Sequence, residues 1–211
     1  MIRIRKSSSI PDNLEKKGYK DDSVQATILA DQDDKCYLCE RKLTTDFQVE
    51  HLQSRENYPE KKNCWENLFV ACSYCNQKKS SNFDDICNPT QTNVECEISQ
   101  KVNFAENKIL FKAPSGSRTL ERTAELLSRL YNGTRSKLRT TREERFYRAF
   151  IQQMNVFQQA VVRYMEHGDN ETEIIRMLDI KSENLGFKYS IIAETPALME
   201  KFKDTIAWNR P

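Results

Sequence analysis

Two short cysteine pairs, Cys36-Tyr37-Leu38-Cys39 and Cys72-Ser73-Tyr74-Cys75, frame the stretch of this chain whose residue types could do chemistry. Two Cys-x-x-Cys turns supply four thiolates, the donor set of a tetrahedral structural zinc ion, and would fix the backbone on either side of the interval. That interval holds 32 residues, more than a plain zinc ribbon, so it must carry an inserted element. Within it lies His51, one of only two histidines in the chain. A neutral imidazole is the side chain best matched to take a proton from water near pH 7, which is what phosphodiester hydrolysis requires on the attacking side. Glu50 beside it is a hard oxygen donor, and Asn76, directly after the last thiol, offers a carbonyl oxygen. Hard oxygen ligands suit magnesium, with manganese as the alternative, rather than zinc. A divalent ion there would stabilise charge on the phosphate and the leaving oxygen while His51 activates water.

The alternatives to zinc are weaker. Two pairs with no βαβ pattern around them argue against a thioredoxin-like redox motif. The seven cysteines are an odd number for a complete disulfide framework, and Cys64, Cys87 and Cys96 read as ordinary partly buried thiols.

The elements that must position these groups can be sketched from periodicity and punctuation. Ser23 can cap a helix running to about Asp33, which leads into the first cysteine pair. Phe47 and Val49 alternate with Gln48 and Glu50, a short strand signal that puts His51 at a strand end. Residues 52–66 read as a polar loop containing Tyr58-Pro59; Leu68-Phe69-Val70-Ala71 suits a second strand, and Ser73 to Ser81 a helix starting at the zinc site. Lys78 and Lys79 at the end of that helix could meet phosphate or simply favour its dipole, and Trp65 is expected to pack against the zinc knot. Strand, strand, helix around one metal knot is the simplest architecture for this order. Ile109-Leu110-Phe111 is a further strand. Helical periodicity returns after Arg118, with Leu120, Ala124, Leu127 and Leu130-Tyr131 on one face. It continues through Phe146, Phe150, Met154, Phe157, Val161 and Met165 up to Gly168. Thr195-Pro196 opens a final helix marked by Leu198, Phe202 and Ile206.

The chain of 211 residues, 38% hydrophobic, is long enough for one large domain or a small domain with a helical companion. Residues 1–115 are expected to form the metal-bearing domain and 116–211 a helical partner-binding region. The opening lacks the apolar stretch of a secretory signal, and no run is long enough for a bilayer span, so a cytoplasmic protein with no membrane partner is expected. A net charge of +2 excludes a polycation that coats nucleic acid. Between Arg118 and Arg148, however, nine Arg or Lys stand against four Glu, a stripe that could follow a phosphate backbone or be a solvated helix face.

Glu50-His51, Asn67-Leu68 and the run Cys72-Ser73-Tyr74-Cys75-Asn76-Gln77-Lys78-Lys79 resemble the HNH endonuclease motif with its paired-cysteine zinc site. The resemblance implies an α+β fold: a ββα-metal finger with a structural four-cysteine zinc site at Cys36, Cys39, Cys72 and Cys75, followed by a mainly α-helical C-terminal region. It assigns catalytic positions to His51 as general base, to Asn67 as the tie across the loop between the strands, and to Asn76 as the last motif residue. Glu50 and Asn76 would bind the catalytic cation. The chain departs from the common pattern in having Glu where Asp is commoner and Asn where a final His often stands.

The opening Met1-Ile2-Arg3-Ile4-Arg5-Lys6 with Pro11, the Tyr58-Pro59 pair, and the run ending before Phe83 are also similar to the PtuB-like HNH subunits of Septu-type and retron-linked anti-phage systems. That likeness implies a hetero-oligomer with a PtuA-like ABC/SMC-type ATPase; the nucleic-acid target is expected to be DNA before RNA, a choice that the sequence itself leaves open. The rival class is a non-catalytic zinc-ribbon adaptor binding nucleic acid or a partner protein.

Overall fold

The computed structural model describes residues 1–134 and 139–208. The chain begins with helices α1 (Asn13–Lys17) and α2 (Asp22–Asp31). The cap of α2 is Asp21 rather than Ser23: its carboxylate accepts the Ser23 N–H, so the helix starts earlier than the serine implies. Aspartate and serine cap about equally well, and residue type alone does not choose between them.

Strand β1 (Gln48–His51) pairs antiparallel with β2 (Leu68–Ala71), Glu50 opposite Phe69 and His51 opposite Leu68. All four residues of β2 are buried. Its outer edge is closed by Gln32, whose side chain exchanges two 2.9 Å hydrogen bonds with the backbone of Val70, and by the Tyr37 N–H, which reaches the Val70 carbonyl at 3.1 Å. A buried edge needs such partners because unpaired backbone groups there are costly. The connection between the strands is a loop containing two short 3-10 turns, Pro59–Lys61 and Trp65–Asn67. Helix α3 (Ser73–Lys79) follows β2 directly and ends short of the expected limit at Ser81, because Ser80 turns to φ 48°.

A second layer follows: helix α4 (Val94–Glu97) and a hairpin of β3 (Ser99–Asn103) with β4 (Lys108–Lys112). The hairpin contains the expected Ile109-Leu110-Phe111 strand. Its partner β3 escapes pattern reading because the residue it buries is Gln100, not an apolar side chain.

Helices α5 (Arg118–Asn132) and α6 (Thr141–His167) form the helical face. A reciprocal capping box opens α6: the Thr140 hydroxyl accepts the Glu143 N–H, and the Glu143 carboxylate accepts the Thr140 N–H. Gly168 closes it in the left-handed region, φ 76°. Phe146, Phe150, Met154, Phe157 and Val161 are buried as their spacing implies, but Met165 is exposed because the last turn of α6 runs beyond the core. Helices α7 (Glu171–Met177), α8 (Leu185–Ala193) and α9 (Pro196–Phe202) complete the fold. Ile206 is buried in the turn after α9 rather than within it.

The expected division at residue 115 falls in the connection between β4 and α5. Buried side chains from before and after it belong to one hydrophobic core. Tyr74 on α3 stacks on Phe146 of α6 at 4.6 Å and donates its hydroxyl to the Leu130 carbonyl at the end of α5. Lys78 of α3 pairs with Glu143 of the capping box. At the other side, the Gly186 N–H of α8 bonds to the Glu40 carboxylate at 3.2 Å, immediately after the first cysteine pair. A Cβ at Gly186 would stand 2.6 Å from the Gln100 amide and 3.1 Å from the Met1 carbonyl, so α8 approaches closely enough that a larger residue would have to displace the Gln100 side chain.

The basic stripe is largely engaged within the chain. Arg118 and Arg122 pair with Asp85, Arg122 and Arg129 with Glu125, and Arg148 with Glu144. Arg142 donates to Ser73 and Arg139 to the Tyr131 carbonyl. Arg135 and Lys137 lie outside the described residues. The stripe therefore reads chiefly as a brace between α5, α6 and their neighbours. No helix among the described residues is long and apolar enough to cross a membrane.

Candidate active site

The first cysteine pair sits in a tight turn: the Glu40 N–H bonds to the Cys36 carbonyl at 2.8 Å, the Cys36 N–H to the Arg41 carbonyl at 3.0 Å, and Lys35 bridges Lys42 across it. The second pair opens α3, with Cys72 at the N-cap. These two turns bring the sulfurs of Cys36, Cys39, Cys72 and Cys75 within 4.8 Å of one another, all four residues buried. A tetrahedral zinc ion with bonds of about 2.3 Å places its thiolates roughly 3.8 Å apart, so the cluster fits that ion in donor type, number and spacing. The Arg41 guanidinium donates to Cys72 Sγ at 3.7 Å and lies over the Phe146 ring at 4.7 Å. Four thiolates around one divalent ion leave a net negative charge, which a neighbouring guanidinium offsets.

Successive residues of a strand point to opposite faces, so Glu50 and His51 enter different environments. On one face Glu50 is buried: Oε2 accepts the Tyr37 hydroxyl at 2.6 Å and Oε1 lies 2.9 Å from Lys79 Nζ. Burial pushes its carboxyl above the usual range, against the downward pull of Lys79 and of the Tyr37 hydrogen bond. Lys79 is fully buried, donates also to the His51 carbonyl at 2.9 Å, and has Asp84 at 3.7 Å. It meets no solvent phosphate, contrary to one reading of its position at a helix end. Three residues earlier on α3, Asn76 is half-buried and donates Nδ2 to Gln48 Oε1 at 2.6 Å.

On the other face His51 is 5% exposed, and its Nε2 is 2.9 Å from the Lys62 carbonyl oxygen. A carbonyl can only accept, so Nε2 carries the proton and Nδ1 is left as the basic nitrogen. Tyr19 meets the imidazole edge-on at 4.8 Å, and Arg55 holds the Tyr19 hydroxyl at 2.7 Å. Burial lowers the His51 pKa, the Lys62 hydrogen bond raises it, and Arg55 and Lys79 nearby lower it further, with a net shift downward. The ring is thus held neutral at pH 7, the form in which it can accept a proton.

Asn67 is buried and bonds three ways across the loop: Oδ1 accepts the Gln53 N–H at 2.8 Å, and Nδ2 donates to the carbonyls of Gln53 and Lys61 at 2.9 and 3.2 Å. Lys61 precedes the residue whose carbonyl orients His51, so Asn67 acts on the imidazole through two backbone steps. Asp84 fixes the start of the same loop, accepting from the Ser54 N–H at 2.7 Å, the Ser54 hydroxyl at 2.8 Å and Asn57 at 2.7 Å.

Among the described residues no hydrogen bond joins His51 to Glu50 or Asn76. The oxygens of Glu50, Gln48 and Asn76 suit magnesium in kind, and a carboxylate has lone pairs beyond the two that Tyr37 and Lys79 engage. The ammonium at 2.9 Å nevertheless opposes a divalent cation at Glu50. Sequence reading missed Tyr37, Lys62, Asp84 and Tyr19 as parts of this site, and it placed Lys79 near phosphate rather than beside Glu50. For Lys79 a signal existed, since a spacing of three from Asn76 puts both on one side of α3. For Lys62 none did, because the contributing atom is a backbone carbonyl. Trp65 is buried, its ring lies under Lys6 at 4.1 Å, and its indole N–H donates to the Ser7 carbonyl at 3.3 Å. His167 is exposed at the end of α6, Cys87 is buried, Cys64 is half-buried, and Cys96 is exposed rather than partly buried.

No curated protein and no solved structure matches the chain. The residues that hold the thiol cluster, the paired strands, His51, Asn67 and α3 coincide with a segment of known kind: residues 36–82 match the family model of the HNH endonucleases.

Proposed function

We propose that the protein is a metal-dependent HNH endonuclease that hydrolyses phosphodiester bonds of nucleic acid. In this reading residues 36–82 form a ββα-metal finger, Cys36, Cys39, Cys72 and Cys75 hold structural zinc, and His51 is the general base. The observation that carries it is the hydrogen bond from His51 Nε2 to the Lys62 carbonyl, 2.9 Å, in a segment that matches HNH endonucleases. With its proton committed there, Nδ1 can take one from water. The water oxygen forms a bond to phosphorus, the bond from phosphorus to the leaving oxygen breaks, and that oxygen leaves with a proton from solvent. Asn67 holds the loop that supplies the Lys62 carbonyl, and Glu50 and Asn76 are the residues that would hold magnesium or manganese. A bound divalent cation supplies neutralisation of charge on the phosphate and the leaving oxygen.

The effector role in an anti-phage complex with a PtuA-like ABC/SMC-type ATPase rests on the resemblance of the opening segment, Tyr58-Pro59 and the run to Phe83. The region 116–211 is its partner-binding part in that reading, and copurification with a co-expressed ATPase tests it. The adaptor reading keeps one observation in its favour, the pairing of Glu50 with Lys79. Cleavage assays on labelled DNA and RNA, with magnesium supplied and withheld from zinc-loaded protein, separate the two. Divalent-dependent cleavage is expected of the nuclease, and its absence on both substrates would favour the adaptor.

A further inference from the structure

Tyr19, in the turn between α1 and α2, packs against His51 from outside the segment that carries the cysteine pairs. Between the end of α1, the turn into α2 and the loop after His51 lies a cleft of about 380 Å³. Its walls carry Lys16, Lys17, Lys20, Arg55 and Lys62 against a single carboxylate, Glu15. All five cationic residues are exposed, and among them only Lys17 has a carboxylate partner within the described residues, Asp21 at 3.5 Å. The cleft adjoins the candidate site through one layer of side chain: the Tyr19 ring in its wall meets the His51 imidazole, Arg55 holds the Tyr19 hydroxyl, and Lys62 supplies the carbonyl that orients Nε2.

The bland account is that Lys16 and Lys17 favour the C-terminal end of α1. That accounts for two residues of a five-residue helix and for none of Lys20, Arg55 and Lys62, which arrive from separate segments. Like charges from three segments repel one another, and their convergence is relieved by a polyanion. Tyr19 is buried against His51 and offers no face on which a base could stack, so the cleft provides cations without a platform for reading bases.

We propose that this cleft holds the phosphate backbone of the nucleic-acid strand next to the bond that is cut, and so deepens the nuclease reading on which it rests. The occupant is recognised by its phosphodiester charge, which DNA and RNA share.

The test measures binding by fluorescence anisotropy of a fluorescein-labelled DNA oligonucleotide and its RNA counterpart, over a salt series, in the His51→Ala background so that nothing is cut. In that background a triple change, Lys16→Ala, Lys20→Ala and Lys62→Ala, should weaken binding and reduce the slope of log K against log salt by roughly 2 to 3, about one per lost phosphate contact. A control triple of exposed lysines elsewhere, Lys101→Ala, Lys108→Ala and Lys201→Ala, should leave the slope in place. The arm with the larger slope change identifies the strand type. An unchanged slope in the cleft variant, or an equal loss in the control, overturns the cleft even if the wild-type protein cuts. Failure of the wild-type protein to cut, with the slope change present, refutes the nuclease reading and leaves the cleft as a nucleic-acid site.

Discussion

Lys79 is a residue whose removal the structure makes costly. Its side chain is fully buried and its ammonium touches the Glu50 carboxylate and the His51 carbonyl, each at 2.9 Å. Lys79→Met keeps most of the aliphatic volume but leaves a buried carboxylate without its counter-charge and a buried carbonyl without a donor. Breaking a buried pair from one side costs about 3–5 kcal/mol. For a chain of this size each kcal/mol moves the midpoint by roughly 2–4 °C, so the melting temperature should fall by roughly 6–20 °C. Burial pushes the Glu50 carboxyl up against the pull of Lys79, so without that ammonium the ionised form of Glu50 is disfavoured further. Removing the charge from the other partner should therefore repair much of the damage. The double variant Lys79→Met/Glu50→Gln is expected to melt well above Lys79→Met alone. Differential scanning calorimetry of the zinc-loaded wild type, both single variants and the double variant gives the full cycle. A Lys79→Met protein within about 1 kcal/mol of wild type, or additive losses in the double variant, would refute the reasoning.

The zinc cluster and the imidazole should separate cleanly in stability. Cys36→Ser or Cys75→Ser is expected to release zinc and unfold the first half, whereas His51→Ala retains the metal; melts with zinc quantification check this, and equal destabilisation by all three changes would make His51 structural. Cleavage should follow the neutral form of His51. Because burial holds its pKa below the ordinary 6.5, the rate should rise with pH through a midpoint below that value and be level by pH 7; a midpoint above 6.5 would contradict the assigned environment. Asn67→Ala leaves the Gln53 N–H and carbonyl without partners, removes one of two donors to the Lys61 carbonyl, and should cost about 1–3 kcal/mol while lowering cleavage and retaining zinc. A variant that melts and cuts like wild type would remove Asn67 from the positioning role.

Much of the local architecture was legible because the sequence states it through spacing. The cysteine pairs, the alternation ending at His51, the apolar run Leu68–Ala71 and the Gly168 stop each rest on a short-range rule. The strand β3 was not legible, because an inward-facing Gln100 breaks the apolar pattern on which strand reading depends. Helices α7 and α8 were missed for a related reason. Asn170 and Asn184 precede them in left-handed conformations and no side-chain cap marks either start. The capping box Thr140-Thr141-Arg142-Glu143 was readable and would have fixed the start of α6. At the site, the residue types Glu50, His51, Asn67 and Asn76 were visible, but their partners were not. The face that Glu50 shares with Lys79 and the carbonyl that orients His51 depend on how α3 and the loop fold back on the strands, and no short-range rule carries that.

The central claim, that Nδ1 of His51 takes the proton from the attacking water, is tested most directly by single-turnover cleavage of labelled DNA with magnesium, comparing wild type with a His51→Ala variant of equal zinc content and equal melting temperature. The predicted loss is about 10²- to 10⁴-fold, the usual contribution of a general base. Equal rates for the two proteins would contradict it.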